Sequence, residues 1–228
     1  MKLLPITLGI AHKGSASFFQ TMSPEALADL KNKIFDRDRH MCQCCGFVSE
    51  KYQQLHIIDG SAKPNENNLA TTCIFCQQTF DLESVSKMRS GVLIWLPEIE
   101  QAALHHIARA LYVARISQGP MSETARKILD TLMTRREDVR SRLGSDDPYV
   151  LSSVLRDYIG RRQYADRKRK LEGVRLFPLD RRIIKEEDLE FNQFPQILAY
   201  WRSKAGPFAD KTPNSWIDMY REKFPESA

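Results

Sequence analysis

No stretch of this sequence stays apolar for more than five residues, and the run Val92 to Leu96 is as long as any. A membrane-spanning helix needs about 20 such residues, so nothing here is expected to cross a bilayer. Compositional bias is missing too. With 42% apolar and 28% charged residues, no internal repeat and no low-complexity linker, the chain has no disorder signature and is long enough to bury a real core. Strong charge of one sign is also absent: 34 Lys and Arg stand against 29 Asp and Glu, and the net +5 does not by itself call for nucleic acid. A cleaved signal is not expected. Lys2 and the apolar Leu3 to Ala11 imitate one ending near Ser15-Ala16-Ser17, but Pro5, Thr7 and Gly9 interrupt the run. Within it Leu4, Ile6, Leu8 and Ile10 alternate as in a half-buried strand.

Cysteine is scarce, five in 228 residues, yet four of the five form two Cys-x-x-Cys pairs, Cys42/Cys45 and Cys73/Cys76, bracketing 27 residues. Two such pairs provide the four thiolates that one structural Zn²⁺ prefers, and the two-residue gap lets both sulfurs of a pair reach one ion from a tight turn. Gly46 suits that turn because it reaches positive φ without a Cβ penalty. The competing reading is two unrelated buried pairs or disulfides; metal spacing instead points to a reducing compartment, by default the cytosol. Cys44 is read as free, with substitution for Cys45 as the minor alternative.

Flanking signals give the metal a setting. Ser23-Pro24-Glu25 starts a helix with a hydroxyl cap, a proline at its first position and an acid near the positive dipole end. Leu55, Ile57 and Asp59 alternate with His56 and Ile58 as a short strand, and Asn68-Leu69 opens a segment that carries Cys73 and Cys76 and becomes helical. The order "RDRHMCQCCGF", "LHIID", "NNLATTCIFC" resembles the zinc-bearing HNH (His-Me finger) fold. That implies an α+β class: a zinc core of β-hairpin and helix surrounded by additional helices. By that resemblance His56 falls at the general base and Asn68 at the asparagine. Leu55, however, stands where a metal ligand should precede the base, and Gln77 where a terminal histidine should follow Cys76. A phosphodiesterase centre needs a divalent cation held by oxygen or imidazole; Leu55 cannot coordinate one, and Gln77 is a poor neutral substitute. Asp59 is the neighbouring carboxylate able to coordinate. The expectation is a non-enzyme in which His56, Asp59 and Asn68 are vestigial, the alternative a metal-dependent HNH endonuclease with His56 as general base.

Val92 to Leu96 reads as a strand ended by Pro97, followed by a helix from about Glu98 to Ile116 with Ile99, Ala103, Ile107, Leu111 and Ala114 on one face. His105 and His106 point about 100° apart and make no natural metal pair. A helix capped by Ser122 and closed by Gly144 comes next, then one begun by Asp147-Pro148 with Leu151, Val154, Leu155, Tyr158 and Ile159 inward. Arg161 to Lys170 is a basic run containing one acid, Asp166: a solvated face, a partner contact, or a nucleic-acid contact. Val174 to Leu179 reads as an edge strand, a mixed loop follows, and Pro195 to Ala205 and Asn214 to Phe224 as two short helices. Their aromatics serve either to dock the C-terminal part on its own core or to anchor a partner.

The segments "KIFDRDRHMCQCCGF", "NLATTCIFCQQTFDLES", "LIWLPE" and "VRLFPL" together resemble the DotN (IcmJ) family of the type IVB (Dot/Icm) secretion coupling complex, from about Lys33 to Leu179. The resemblance implies a cytoplasmic adaptor without nuclease function, peripheral to the inner membrane. Its partners would be the C-terminal tail of a DotL-like coupling ATPase, a DotM-like subunit and effector adaptors. Residues 1–180 are expected to form the zinc domain with appended helices and 181–228 a C-terminal helical extension.

Overall fold

A computed structural model describes residues 3–11, 18–60, 64–209 and 211–225; the signal-like Ser15-Ala16-Ser17 lies outside them. The Ser23 hydroxyl accepts from Ala26 N and starts helix α1 (Pro24–Arg37). Strands β1 (Gln53–Ile57) and β2 (Leu69–Cys73) follow and pair antiparallel with Leu55 opposite Thr71 and Gln53 opposite Cys73. The chain passes directly into α2 (Ile74–Phe80) and α3 (Leu82–Lys87). Next come β3 (Gly91–Trp95), α4 (Gln101–Arg115), α5 (Pro120–Leu143) and α6 (Pro148–Ser153), which runs into a wide turn at Val154–Tyr158. Two short helices, α7 (Arg161–Ala165) and α8 (Arg167–Lys170), lead to β4 (Val174–Pro178), which pairs with β3. A hairpin of β5 (Ile183–Glu186) and β6 (Leu189–Asn192) precedes α9 (Phe194–Arg202) and α10 (Pro213–Lys223). The class is α+β, with three separate two-stranded antiparallel sheets among the described residues. None of their helices is long and apolar enough to cross a membrane.

Packing places the cysteines at the centre. The largest core joins Cys42, Cys45, Cys73 and Cys76 to Phe75, to Leu104, Ala108 and Leu111 of α4, to Leu129 of α5 and to Phe194 and Trp201 of α9. A second core packs β3, β4 and α3 around Leu82, Leu93 and Leu176. The third holds α1 on the hairpin through Ile34, Leu55, Ile57 and Leu69. Arg37 fastens that contact by donating to the Leu69 carbonyl at 2.7 Å, and the Asp38 carboxylate accepts from Thr71 N at 2.8 Å.

Several elements differ from the sequence reading. Leu4 to Ile10 is extended but joins no sheet: Leu4 N donates to Gln43 O, Gly9 N to Thr79 O, and Gly9 O accepts from Leu82 N. These partners lie on separate elements, so the alternation marks a half-buried strap. The α5 cap is Gly119, and Ser122 instead donates its hydroxyl to Arg115 O at 2.7 Å. After α6 only Leu155 is fully inward; Tyr158 is 80% exposed and Val154 41%, because the wide turn shifts the apolar positions off one helical face. The mixed loop is the β5–β6 hairpin, turned at Glu187 with φ +54°.

Asp146, just after α5, accepts from Arg140 and from Arg136, while its own carbonyl receives Leu93 N at 2.9 Å. Burial would raise its carboxyl pKa, but the two arginines outweigh burial and hold it below the usual range. A depressed carboxylate adds stability above its unfolded pKa of about 4 and loses it as pH falls through the folded value. Both arginines are partly exposed, so Asp146→Asn is expected to cost about 1–2 kcal/mol at neutral pH. Urea denaturation checks this; the difference from wild type should close below about pH 4.

Candidate metal centre

Each cysteine pair is held by backbone geometry that its local sequence dictates. In the first, Gly46 N donates to Cys42 O and Cys42 N to Phe47 O, a tight turn completed by Gly46 at φ +76°. In the second, Cys73 ends β2 and caps α2, its sulfur accepting from Cys76 N at 3.4 Å. Gln43 N donates to Thr71 O at 2.8 Å and fastens one pair to the other.

The result is four buried sulfurs all within 4.8 Å of one another. Tetrahedral coordination with bonds of about 2.3 Å places sulfurs about 3.8 Å apart; Cys45 and Cys73 stand 3.7 Å apart. That separation is far beyond an S–S bond of about 2.05 Å, and all five cysteines are free thiols. Geometry and donor chemistry therefore fit one metal ion. Proton sharing points the same way. Hydrogen bonds from Cys44 and the other three thiols drive Cys42 far below the ordinary thiol range. For Cys45, the bond to Cys42 acts upward, yet Cys73 and Cys76 bring it down to about 5. Burial pushes Cys73 up, and hydrogen bonding with Cys42 pushes Cys76 up. The sulfurs cannot hold protons independently, and a metal ion resolves that competition by replacing protons. Cys44 is buried beside them but lies outside the four-sulfur group.

Helix α4 closes the site with residues the sequence reading set aside. Its buried face carries Gln101, Leu104, His105, Ala108 and Arg109, not Ala103. Arg109 Nη2 stands 2.7 Å from Cys73 Sγ and 3.9 Å from Cys45 Sγ, and its guanidinium carbon is 4.0 Å from the Phe47 ring centre and 4.9 Å from that of Phe75. Burial favours its neutral form, but negative charge on Cys73, Cys45, Cys76 and Cys42 overrides that and raises its pKa. His105 Nδ1 is 3.3 Å from Cys76 Sγ, and burial followed by the Arg109 charge holds this imidazole neutral. His106 points elsewhere, its Nε2 2.8 Å from Cys45 O. The divergence expected of adjacent helical positions is present, yet both rings reach the cysteine pairs. The one sequence feature that bears on this is the placement of His105 and Arg109 inside a largely apolar helix, which by itself names no partner.

The residues matched to a nuclease centre lie on the β1–β2 hairpin and, for Gln77, on α2. Leu55 is buried in the core against α1. His56 stacks on Phe80 with ring centres 4.2 Å apart. Asn68 Oδ1 accepts from Asp59 N at 3.2 Å, and its amide donates to the Asp59 carboxylate. Gln77 Oε1 accepts from Thr72 Oγ1 at 3.0 Å. An open groove of about 430 Å³ runs past His56 and Gln77 and has Asp81 on its wall. That carboxylate is engaged in capping α3 at Ser84.

No protein-family model matches the chain. Over 175 residues it is 32% identical to the type 4 apparatus protein DotN of Legionella pneumophila, an alignment covering 74% of this chain and 81% of that protein.

Proposed function

We propose, since the chain belongs to the DotN family, that it works as a non-catalytic adaptor subunit of a bacterial type IVB secretion apparatus. The single observation carrying this reading is the similarity to DotN over most of both chains. In it, Cys42, Cys45, Cys73 and Cys76 hold one structural Zn²⁺, which when bound cross-links the two cysteine pairs and adds its binding free energy to folding. Residues 1–180 form the metal-bearing domain, an HNH-like core with appended helices, and residues 181–228 the extension. The partner is the C-terminal tail of a DotL-like coupling ATPase, joined by a DotM-like subunit and effector adaptors, with the protein cytoplasmic and peripheral to the inner membrane.

Absence of catalysis is supported by how the side chains of the hairpin and of α2 are used. Leu55 offers no donor and serves the core, Gln77 is spent on Thr72, and Asp59 is paired with Asn68. Among the described residues, the groove beside His56 thus lacks a free set of oxygen and imidazole ligands of the kind a hard divalent cation requires. With zinc content verified, a tagged coupling-ATPase tail is expected to retain this protein from a lysate of the native bacterium. Failure of that capture sinks the adaptor reading. Incubation of plasmid DNA with Mg²⁺ or Mn²⁺ is expected to leave it intact, and nicking that disappears in His56→Ala would reverse the non-catalytic part.

A further inference from the structure

Arg109 is a fully buried cation whose hydrogen bonds go to sulfur. Nη2 contacts Cys73 at 2.7 Å and Cys45 at 3.9 Å, while Nε and Nη1 find no acceptor among the described residues. Arg109 is 1% exposed, and the Phe47 and Phe75 rings stand against its guanidinium. Such a charge requires a nearby anion, and the four-cysteine cluster supplies it. A divalent ion on four thiolates carries formal charge −2, equally costly in an apolar core, so each charge makes the other tolerable.

A neutral chain of hydrogen bonds runs one turn away on the same helix. Gln101 Oε1 accepts from Leu176 N at 2.9 Å and its Nε2 donates to Leu176 O at 2.8 Å, which fixes the amide orientation on strand β4. The second Nε2 hydrogen faces His105 Nε2 at 2.8 Å and makes that nitrogen the acceptor. With Nε2 accepting, the ring proton sits on Nδ1 and is donated to Cys76 Sγ.

We propose that α4 is the charge-compensating outer shell of the metal centre. Arg109 is the counter-ion of the tetrathiolate, and Gln101 positions His105 to donate to Cys76. The inference rests on the four-cysteine metal reading above and adds residues that determine how tightly the ion is held. Outer-shell partners of this kind alter metal affinity by about 10–100-fold.

Competition with a chromophoric chelator tests it on the full chain. Arg109→Met, which removes the charge but keeps an apolar stem, is expected to weaken Zn²⁺ retention by about 10–100-fold, and Arg109→Lys to recover most of that loss. An Arg109→Met protein that holds zinc as tightly as wild type overturns the proposal, as does an Arg109→Lys protein as weak as Arg109→Met. Should either variant not fold, wild-type protein loaded with Cd²⁺ provides a readout without mutation. Its NMR spectrum should show coupling from cadmium through sulfur to the Arg109 Nη2 and His105 Nδ1 protons, with His105 Nε2 unprotonated. Absence of both couplings refutes the outer shell. Wild type that binds neither ion refutes the metal reading itself, a result distinct from a bound ion indifferent to Arg109.

Discussion

Cys73→Ser is expected to abolish metal binding and native folding together. Cys73 joins β2 to α2, accepts from the Cys76 amide, lies 3.7 Å from Cys45 and receives Arg109. A serine hydroxyl stays protonated at neutral pH and is a poor zinc ligand, and it leaves the Arg109 charge with fewer anions. Structural Zn²⁺ contributes about 10–16 kcal/mol of apparent binding free energy, while a domain's whole stability is about 5–15 kcal/mol. Loss of the ion therefore exceeds the margin. Elemental analysis should find one Zn²⁺ per chain in wild type and none in the variant, and far-ultraviolet circular dichroism should show the variant unfolded or aggregated. A soluble Cys73→Ser protein with native helicity and full zinc would show that Cys73 is not a ligand. Strong chelators applied to wild type should reproduce the defect, and added Zn²⁺ should reverse it.

Trp201→Ala is expected to have the next largest effect, about 3–5 kcal/mol of stability. Trp201 is 1% exposed and sits edge-on to Phe47, Phe75 and Phe194 at 5.9, 5.7 and 6.0 Å. Two of those rings, Phe47 and Phe75, also contact the Arg109 guanidinium. A cavity here therefore loosens the guanidinium clamp as well as removing buried apolar area. The chain turns sharply just beyond, where Phe208 N donates back to Trp201 O at 3.0 Å. At Gly206 a Cβ would meet the Tyr200 carbonyl at 2.0 Å, so only glycine fits that return. Chemical denaturation measures the loss, and faster zinc release should accompany it. A variant within 1 kcal/mol of wild type, a margin far below the usual aromatic-to-alanine cost, would show that α9 does not seal the core.

The cysteine pairs were legible because their chemistry is local: two residues of spacing and one glycine define a turn. The same holds for Pro24, Gly144 and Asp147-Pro148, whose caps and breaks act within a single turn of chain. Arg109 was not legible, because its partners are sulfurs far away in sequence and an arginine on an apolar helix ordinarily reads as solvent-facing. Gln101 and His105 were hidden for the same reason, their roles depending on the Leu176 backbone across the core. Alternation at Leu4 to Ile10 reads as a half-buried strand, but the segment joins no sheet among the described residues, and the pattern carried no information about its hydrogen-bond partners. For the aromatics of the last helices both readings had been open. The structure divides them, with Phe194 and Trp201 in the core and Tyr220 and Phe224 about half exposed.

Early and late segments of the sequence meet on the same core: Leu4 and Ile6 pack against it, and Phe194 and Trp201 belong to it. During synthesis, all four cysteines leave the ribosome well before α9 does. At about 5–20 residues per second, the interval between Cys76 and Trp201 lasts on the order of ten seconds. Throughout it the thiolates lack their aromatic cover and are open to oxidants and competing metals. In the proposed zinc reading, early capture of the ion by the nascent chain protects the centre until α9 arrives.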